Sequence, residues 1–257
     1  MALAADFAES GLAYVYYSYR TGSGLANKVV QVLYDGESWR ETRVLIQGIP
    51  GHQLYNGGRI AIGPDGHLYV TTGWANEAAH AQDLKSLAGK ILRVGLNGRV
   101  PNDNPFPNSF VYSYGHRNPQ GLAWSADGRL FISEHGPSGN DELNVIVPKG
   151  NYGWPDNVGD RHKVGLNKPL LHSGNETWAP SGIAFFKSRL LVTGLSERRL
   201  YAYDEAAHSL RVVFASGDRL RDVLPVGDDL YLITTNTSPR AARSQGSDRL
   251  LKLTPQR

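Results

Sequence analysis

Apolar and polar positions alternate in short runs along this chain, and the runs come in pairs divided by a turn. Residues 60–73 read IAIGPDGHLYVTTG, 122–136 read LAWSADGRLFISEHG, 183–194 read IAFFKSRLLVTG and 223–236 read VLPVGDDLYLITTN. Each is a half-buried strand, a polar reversal and a second strand ending on small or functional residues. The PDG and ADG reversals are hairpin chemistry, because Asp and Gly tolerate the positive φ of a tight turn. A further run follows most pairs: KILRV at 90–94, LNVIV at 143–147, RLYAY at 199–203 and RLLKL at 249–253. An earlier set, YVYYSY at 14–19 with VVQVLY at 29–34, fits the same pattern. Helical periodicity is scarce, and residues 76–87, with Glu77 in the first turn, are the best candidate. Units of roughly 40–60 residues, each with several strands, predict a β-propeller. A sandwich does not explain why every second strand ends in a similar small or polar cluster. We count five units, the first and last incomplete, and take residues 1–257 as a single all-β propeller domain.

Composition narrows the function. The chain has no Cys, which removes disulfides, Cys-zinc sites and thiol nucleophiles. The net charge of +3 carries no basic run that would track a phosphate backbone, so nucleic acid is not an expected partner. No stretch approaches the ~18 apolar residues of a membrane span. The first residues, MALAADFAES, do not read as a signal peptide.

The chemistry gathers between residues 112 and 154. GPSGNDE at 136–142 offers Asp141 and Glu142 after two glycines, suited either to a hard cation or to a solvated turn. Arg117 and Asn118 precede Pro119, a donor-rich corner able to clamp a carboxylate or a quinone oxygen. Its plain alternative is an arginine stacked on neighbouring tyrosines. Arg219 and Arg221 lie two apart; on a strand both share a face, which suits an anion unless Asp218 and Asp222 neutralise them. Lys187 either ends a strand in the channel or caps a hairpin in water. His52, His80, His116 and His135 fall in loops, and no esterase triad, zinc-protease motif, phosphate-binding loop or dinucleotide fingerprint is present.

Eight segments in order resemble the glucose/sorbosone dehydrogenase family, which includes the soluble aldose sugar dehydrogenases. They are NGGRIAIGPDGHLYVTTG, AQDLKSLAGKILRV, DNPFP, YSYGHRNPQGLAW, SEHGPSGNDELN, NYGWP, WAPSGIAF and RLRDV. The resemblance implies a propeller of the six-bladed type that holds pyrroloquinoline quinone (PQQ) on Ca²⁺. It implies oxidation of an aldose to a lactone by hydride transfer from the anomeric carbon. Gly136 and Pro137 match calcium-binding carbonyls, Arg117 and Asn118 match cofactor contacts, and Lys187, Arg219 and Arg221 match groups holding the quinone's carboxylates and oxygens. Glu142, Tyr152 and, more loosely, Asp160 match a second, structural calcium site. Relatives are commonly periplasmic, so a periplasmic or extracellular location is expected; the electron acceptor stays unnamed.

Two departures stand out. Where the family carries its catalytic histidine this chain has Tyr55, whose phenol titrates near ~10, far from a working base. His52 substitutes only if the loop folds back. The N-terminal part of the six-bladed pattern is missing or reduced, and an open propeller edge invites pairing with a second copy. Two other readings remain: a non-catalytic propeller binding a sugar or partner at the same channel, and a calcium-dependent lactonase.

Overall fold

The computed structural model describes residues 1–161, 163–238 and 247–255. They form five antiparallel sheets of the propeller-blade type with almost no helix. The chain falls into two compact units, Met1–Pro119 with Ile146–Lys168, and Gln120–Val145 with Pro169–Arg257.

The first unit carries two four-stranded meanders. One contains β1 (Ala2–Leu3), β2 (Leu12–Thr21), β3 (Gly24–Tyr34) and β4 (Trp39–Gly51), with one helical turn, α1 (Phe7–Ser10), between β1 and β2. The other contains β5 (Gly57–Ile62), β6 (Leu68–Thr72), β7 (Lys90–Val94) and β8 (Val111–Tyr114), with α2 (Ala79–Gln82) between β6 and β7. Val29, Ile49, Leu68, Val70, Leu92, Val94 and Val111 are fully buried in its main core. Each such side chain stabilises the fold by roughly 1.5–3 kcal/mol.

The second unit carries β9 (Pro119–Trp124), β10 (Leu130–Glu134), β11 (Glu142–Ile146) and β12 (Leu171–His172) as one sheet. A second sheet contains β13 (Pro180–Phe186), β14 (Arg189–Gly194), β15 (Arg199–Asp204) and β16 (Ser209–Ala215). A three-stranded sheet contains β17 (Leu220–Val226), β18 (Asp229–Thr234) and β19 (Leu250–Leu253). Leu143 and Val192 are buried in one core cluster of this unit, Leu200, Leu220 and Leu232 in the other.

The predicted hairpins form as the turn residues require. Gly66 sits at φ 75° and donates to the Gly63 carbonyl; Gly128 sits at φ 84° and donates to that of Ser125. The predicted helix at 76–87 shrinks to the single turn α2. The carbonyls that would continue it are taken by Lys90, whose buried Nζ donates to His80 O (2.6 Å), Ala81 O (3.1 Å) and Ala88 O (2.7 Å).

A register shift recurs at the start of three first strands. It lies between Gly57 and Ile60 on β5, between Pro180 and Ile183 on β13, and between Leu220 and Asp222 on β17. Such bulges bend a strand and re-aim its side chains.

Candidate active site

In the first unit the site is built around Arg117. Its guanidinium carbon lies 4.7 Å from the ring centre of Tyr55, 5.3 Å from that of Trp154 and 5.8 Å from that of Trp74. Trp74 and Trp154 meet edge to face at 5.3 Å. The backbone draws this box together. Trp74 N donates to Arg117 O (2.8 Å) and Trp154 N to Gly115 O (2.9 Å). Asn118 Oδ1 accepts Gly57 N at 3.1 Å. Arg117 and Asn118 are 7 % and 5 % exposed, so this charge and amide are held by the interior. Cation–π contacts favour the charge where water is thin.

Tyr55 has φ 64°, a left-handed conformation uncommon for a tyrosine. Its carbonyl accepts Ala75 N at 3.1 Å and its ring forms one wall of the arginine box. The 52–56 loop does fold back: Asn56 Oδ1 accepts His52 N at 3.0 Å and Asn56 Nδ2 donates to His52 O at 2.6 Å. Yet His52 Nδ1 accepts Leu54 N at 3.2 Å. That bond makes Nδ1 an acceptor, so neutral His52 carries its proton on Nε2. His116, fully buried, is spent on Ser113 Oγ at 2.8 Å and stacks on Tyr152.

In the second unit Arg221 leads. Its Nη1 lies 3.3 Å from both Gln120 Oε1 and Ser181 Oγ, two neutral acceptors. Arg219 Nη1 reaches Leu195 O at 3.3 Å. Arg219 precedes β17, and the bulge at Arg221 breaks the alternation, so Leu220 and Val223, three apart, both turn inward. Asp222 packs its carboxylate against Gly182, where a Cβ would collide with it.

Lys187 is separated from these arginines. It occupies the β13–β14 hairpin turn with Ser188, both at positive φ, and its Nζ pairs with Asp228 Oδ1 at 2.8 Å in an exposed position. It stands six residues beyond Ser181, about 20 Å along an extended strand.

The 136–142 loop is an oxygen-lined turn. A Cβ on Gly136 would stand 2.1 Å from Gly139 O and 2.4 Å from Asn140 O, so only glycine lets the carbonyls close in. Among the described residues no group of three or more His, Cys, Asp or Glu is arranged to hold a metal ion. Glu142 Oε2 accepts Asn144 Nδ2 at 3.1 Å. Tyr152 and Asp160 belong to the first unit; Tyr152 is buried, with its hydroxyl accepting Val147 N at 3.1 Å, and Asp160 is exposed in a turn.

Sequence reasoning passed over Trp74, Trp154 and Ser181. Two tryptophans beside glycines, in TGWA and NYGW, were the available signal for the box. Ser181 carries no local signature, because its role depends on the β13 bulge.

Comparison with known proteins gives a consistent result. The model of the family described as Glucose / Sorbosone dehydrogenase matches residues 1–243. The aldose sugar dehydrogenase YliI of Escherichia coli (strain K12) is 31 % identical over 290 aligned residues, spanning 98 % of this chain and 76 % of that protein. Quinoprotein glucose dehydrogenase B of Acinetobacter calcoaceticus is 40 % identical over 143 residues, 47 % of this chain and only 30 % of the relative's length. Among solved structures, the PQQ-bound form of aldose sugar dehydrogenase from Streptomyces coelicolor superposes with a TM-score of 0.89 at 41 % identity. That match covers 97 % of this chain and 77 % of the other.

Proposed function

This chain belongs to the Glucose / Sorbosone dehydrogenase family, and on that premise we propose that it is a quinoprotein oxidoreductase acting on aldose sugars, slowed by Tyr55. The observation that carries the reading is the Arg117–Asn118 corner: a buried guanidinium framed by three aromatic rings beside a buried amide. Such a corner suits a planar, anionic, oxygen-rich ligand. PQQ, a tricarboxylate quinone, fits that chemistry. In the second unit Arg219 and Arg221 offer further guanidinium donors. The Gly136 and Pro137 carbonyls are the candidate seat for Ca²⁺, in a turn so tight that Gly139 O and Asn140 O leave no room for a Cβ on Gly136. Glu142, Tyr152 and Asp160 are the candidates for a second calcium.

The bound quinone supplies acceptance of a hydride from the anomeric carbon. The protein's own work is to bind the sugar, exclude water and take the anomeric hydroxyl's proton. The last task is where this chain falls short. Tyr55 stands at the expected histidine position, and His52 is engaged by Leu54. Loss of a general base costs about 10²–10⁴ in rate. The same observation favours a second reading, a binding propeller that keeps the cradle without the chemistry.

An absorbance titration with PQQ and Ca²⁺, followed by glucose and other aldoses, separates the two. Binding followed by quinone reduction is expected for the dehydrogenase. Binding without reduction moves the assignment to the second reading, and no binding defeats both cofactor-based arguments.

A further inference from the structure

Asp141 is a carboxylate enclosed by the second unit, 2 % exposed, and both of its oxygens accept backbone amides. Oδ1 accepts the amide of Gly136 at 2.9 Å, and Oδ2 accepts the amide of Ala179 at 2.7 Å. Two backbone donors on one buried carboxylate form a charge-assisted clamp. Its backbone is fixed as well, with Asp141 N on Ser173 Oγ (3.0 Å) and Asp141 O accepting Ser173 N (2.9 Å).

The two amides belong to different pieces of the candidate site. Gly136 opens the carbonyl-lined loop, which passes through consecutive left-handed residues, Gly139 at φ 74° and Asn140 at φ 52°. Ala179 sits at φ 46°, a conformation that L-residues with a Cβ adopt at a cost. It leads directly into Pro180 and Ser181. Pro180 O accepts His135 Nε2 at 2.8 Å, Ser181 O accepts Ser133 Oγ at 2.6 Å, and Ser181 Oγ meets Arg221 Nη1 at 3.3 Å. The clamp thus joins a turn suited to a cation with a strained corner carrying the contact of an arginine suited to an anion.

We propose that Asp141 is a positioning residue for the hard-cation seat: by holding the Gly136 and Ala179 amides together it sets the geometry of the 136–137 carbonyls and of the Ser181 corner. This rests on the calcium assignment made above for the same loop. Asp141 does not touch the cation; it acts through the backbone it holds.

The test measures Ca²⁺ affinity of the metal-free full chain by chelator competition, with no quinone or sugar present. Asp141→Asn keeps the shape but turns an N–H₂ toward one of the two amide donors, and is expected to weaken Ca²⁺ binding more than tenfold. Val192→Ala, in the core of the same unit, is the control: with a similar fall in melting temperature it leaves Ca²⁺ affinity within twofold. Ala179→Gly, which adopts positive φ freely, is expected to restore part of the lost affinity in the Asp141→Asn background. Wild-type affinity in Asp141→Asn, or equal weakening in Val192→Ala, overturns the positioning role while leaving the calcium assignment standing. A wild-type chain that does not bind Ca²⁺ overturns the assignment and the inference with it. Should Asp141→Asn not fold, amide hydrogen exchange of the wild-type chain decides: Gly136 and Ala179 must be slow and slow further together on adding Ca²⁺. Fast exchange at either amide overturns the clamp.

Discussion

Tyr55 and Gly136 are the two residues on which the reading turns. Tyr55→His restores an imidazole at the expected base position. It should raise the rate of quinone reduction by aldoses about 10²-fold or more over the wild-type chain, with some loss of PQQ affinity because the Tyr55 ring is a wall of the Arg117 corner. Stopped-flow absorbance checks this, and an unchanged rate would mean that the base is not what limits turnover. Gly136→Ala places a methyl 2.1 Å from Gly139 O, where backbone must move. Calcium affinity should fall by at least tenfold while far-ultraviolet circular dichroism stays wild-type, because the clash is confined to the loop. Some of this was legible in the chain. The order of NGGR after Leu54 and Tyr55 is what places Tyr55 at the expected histidine position. The state of His52 was not legible, since its tautomer follows from a bond to an amide two residues away that only the folded loop creates. For Lys187 both alternatives were readable, and the positive φ of Lys187 and Ser188 places it at the β13–β14 turn.

At the level of strands and turns, sequence patterning worked where a turn residue enforced the reversal. The hairpins at Gly66 and Gly128 lie where PDG and ADG stand. It missed β4, whose WRETRV opening is charged and exposed rather than alternating about a core. It also missed every bulge, because an extra residue leaves no trace in an apolar–polar string. A polar lock of the same hidden kind ties β7 to the β5–β6 turn and to the β7–β8 connection. Arg93 on β7 bonds Asp65 Oδ2 (2.8 Å), Asp103 Oδ1 (2.8 Å) and Asn104 Oδ1 (2.9 Å). Burial raises the Asp65 carboxyl, but the His67 amide, Arg93 and the Tyr69 hydroxyl outweigh it and hold it below the ordinary 3.8. Its stabilisation is therefore complete above that value and lost as pH falls through the depressed one. Acid unfolding of Asp65→Asn should lose part of the steepness seen in the wild-type chain below pH 4, read by circular dichroism.

Across the molecule, one buried charge sets how stability responds to alkali. Burial drives Lys90 from 10.5 down to about 7, against the pull of Asp83 and of the three carbonyls to which its ammonium donates. The unfolded chain keeps that proton up to the ordinary lysine value, while the folded chain releases it near 7. Stability should therefore rise with pH between the two, by at most about 1.4 kcal/mol per unit for one proton. Thermal melts from pH 6.5 to 9.5 check this, and Lys90→Met should flatten the rise. The same scale carries a prediction on association. Among the described residues β19 pairs with β18 alone and shows Leu250 67 % exposed. Light scattering at high concentration is expected to report a dimer that Leu250→Lys dissociates; a monomer in the wild-type chain would end that idea.

The bulges on β5, β13 and β17 carry one further consequence, for how this protein can change. A bulge absorbs an extra residue in one strand while the pairing beyond it stays in register. Insertions and deletions are thus tolerated beside Arg59, Gly182 and Arg221, where elsewhere they would turn a strand inside out. Variation in recognition, whether arising over generations or introduced in a library, has three built-in slots in which it can accumulate while the sheets stay whole.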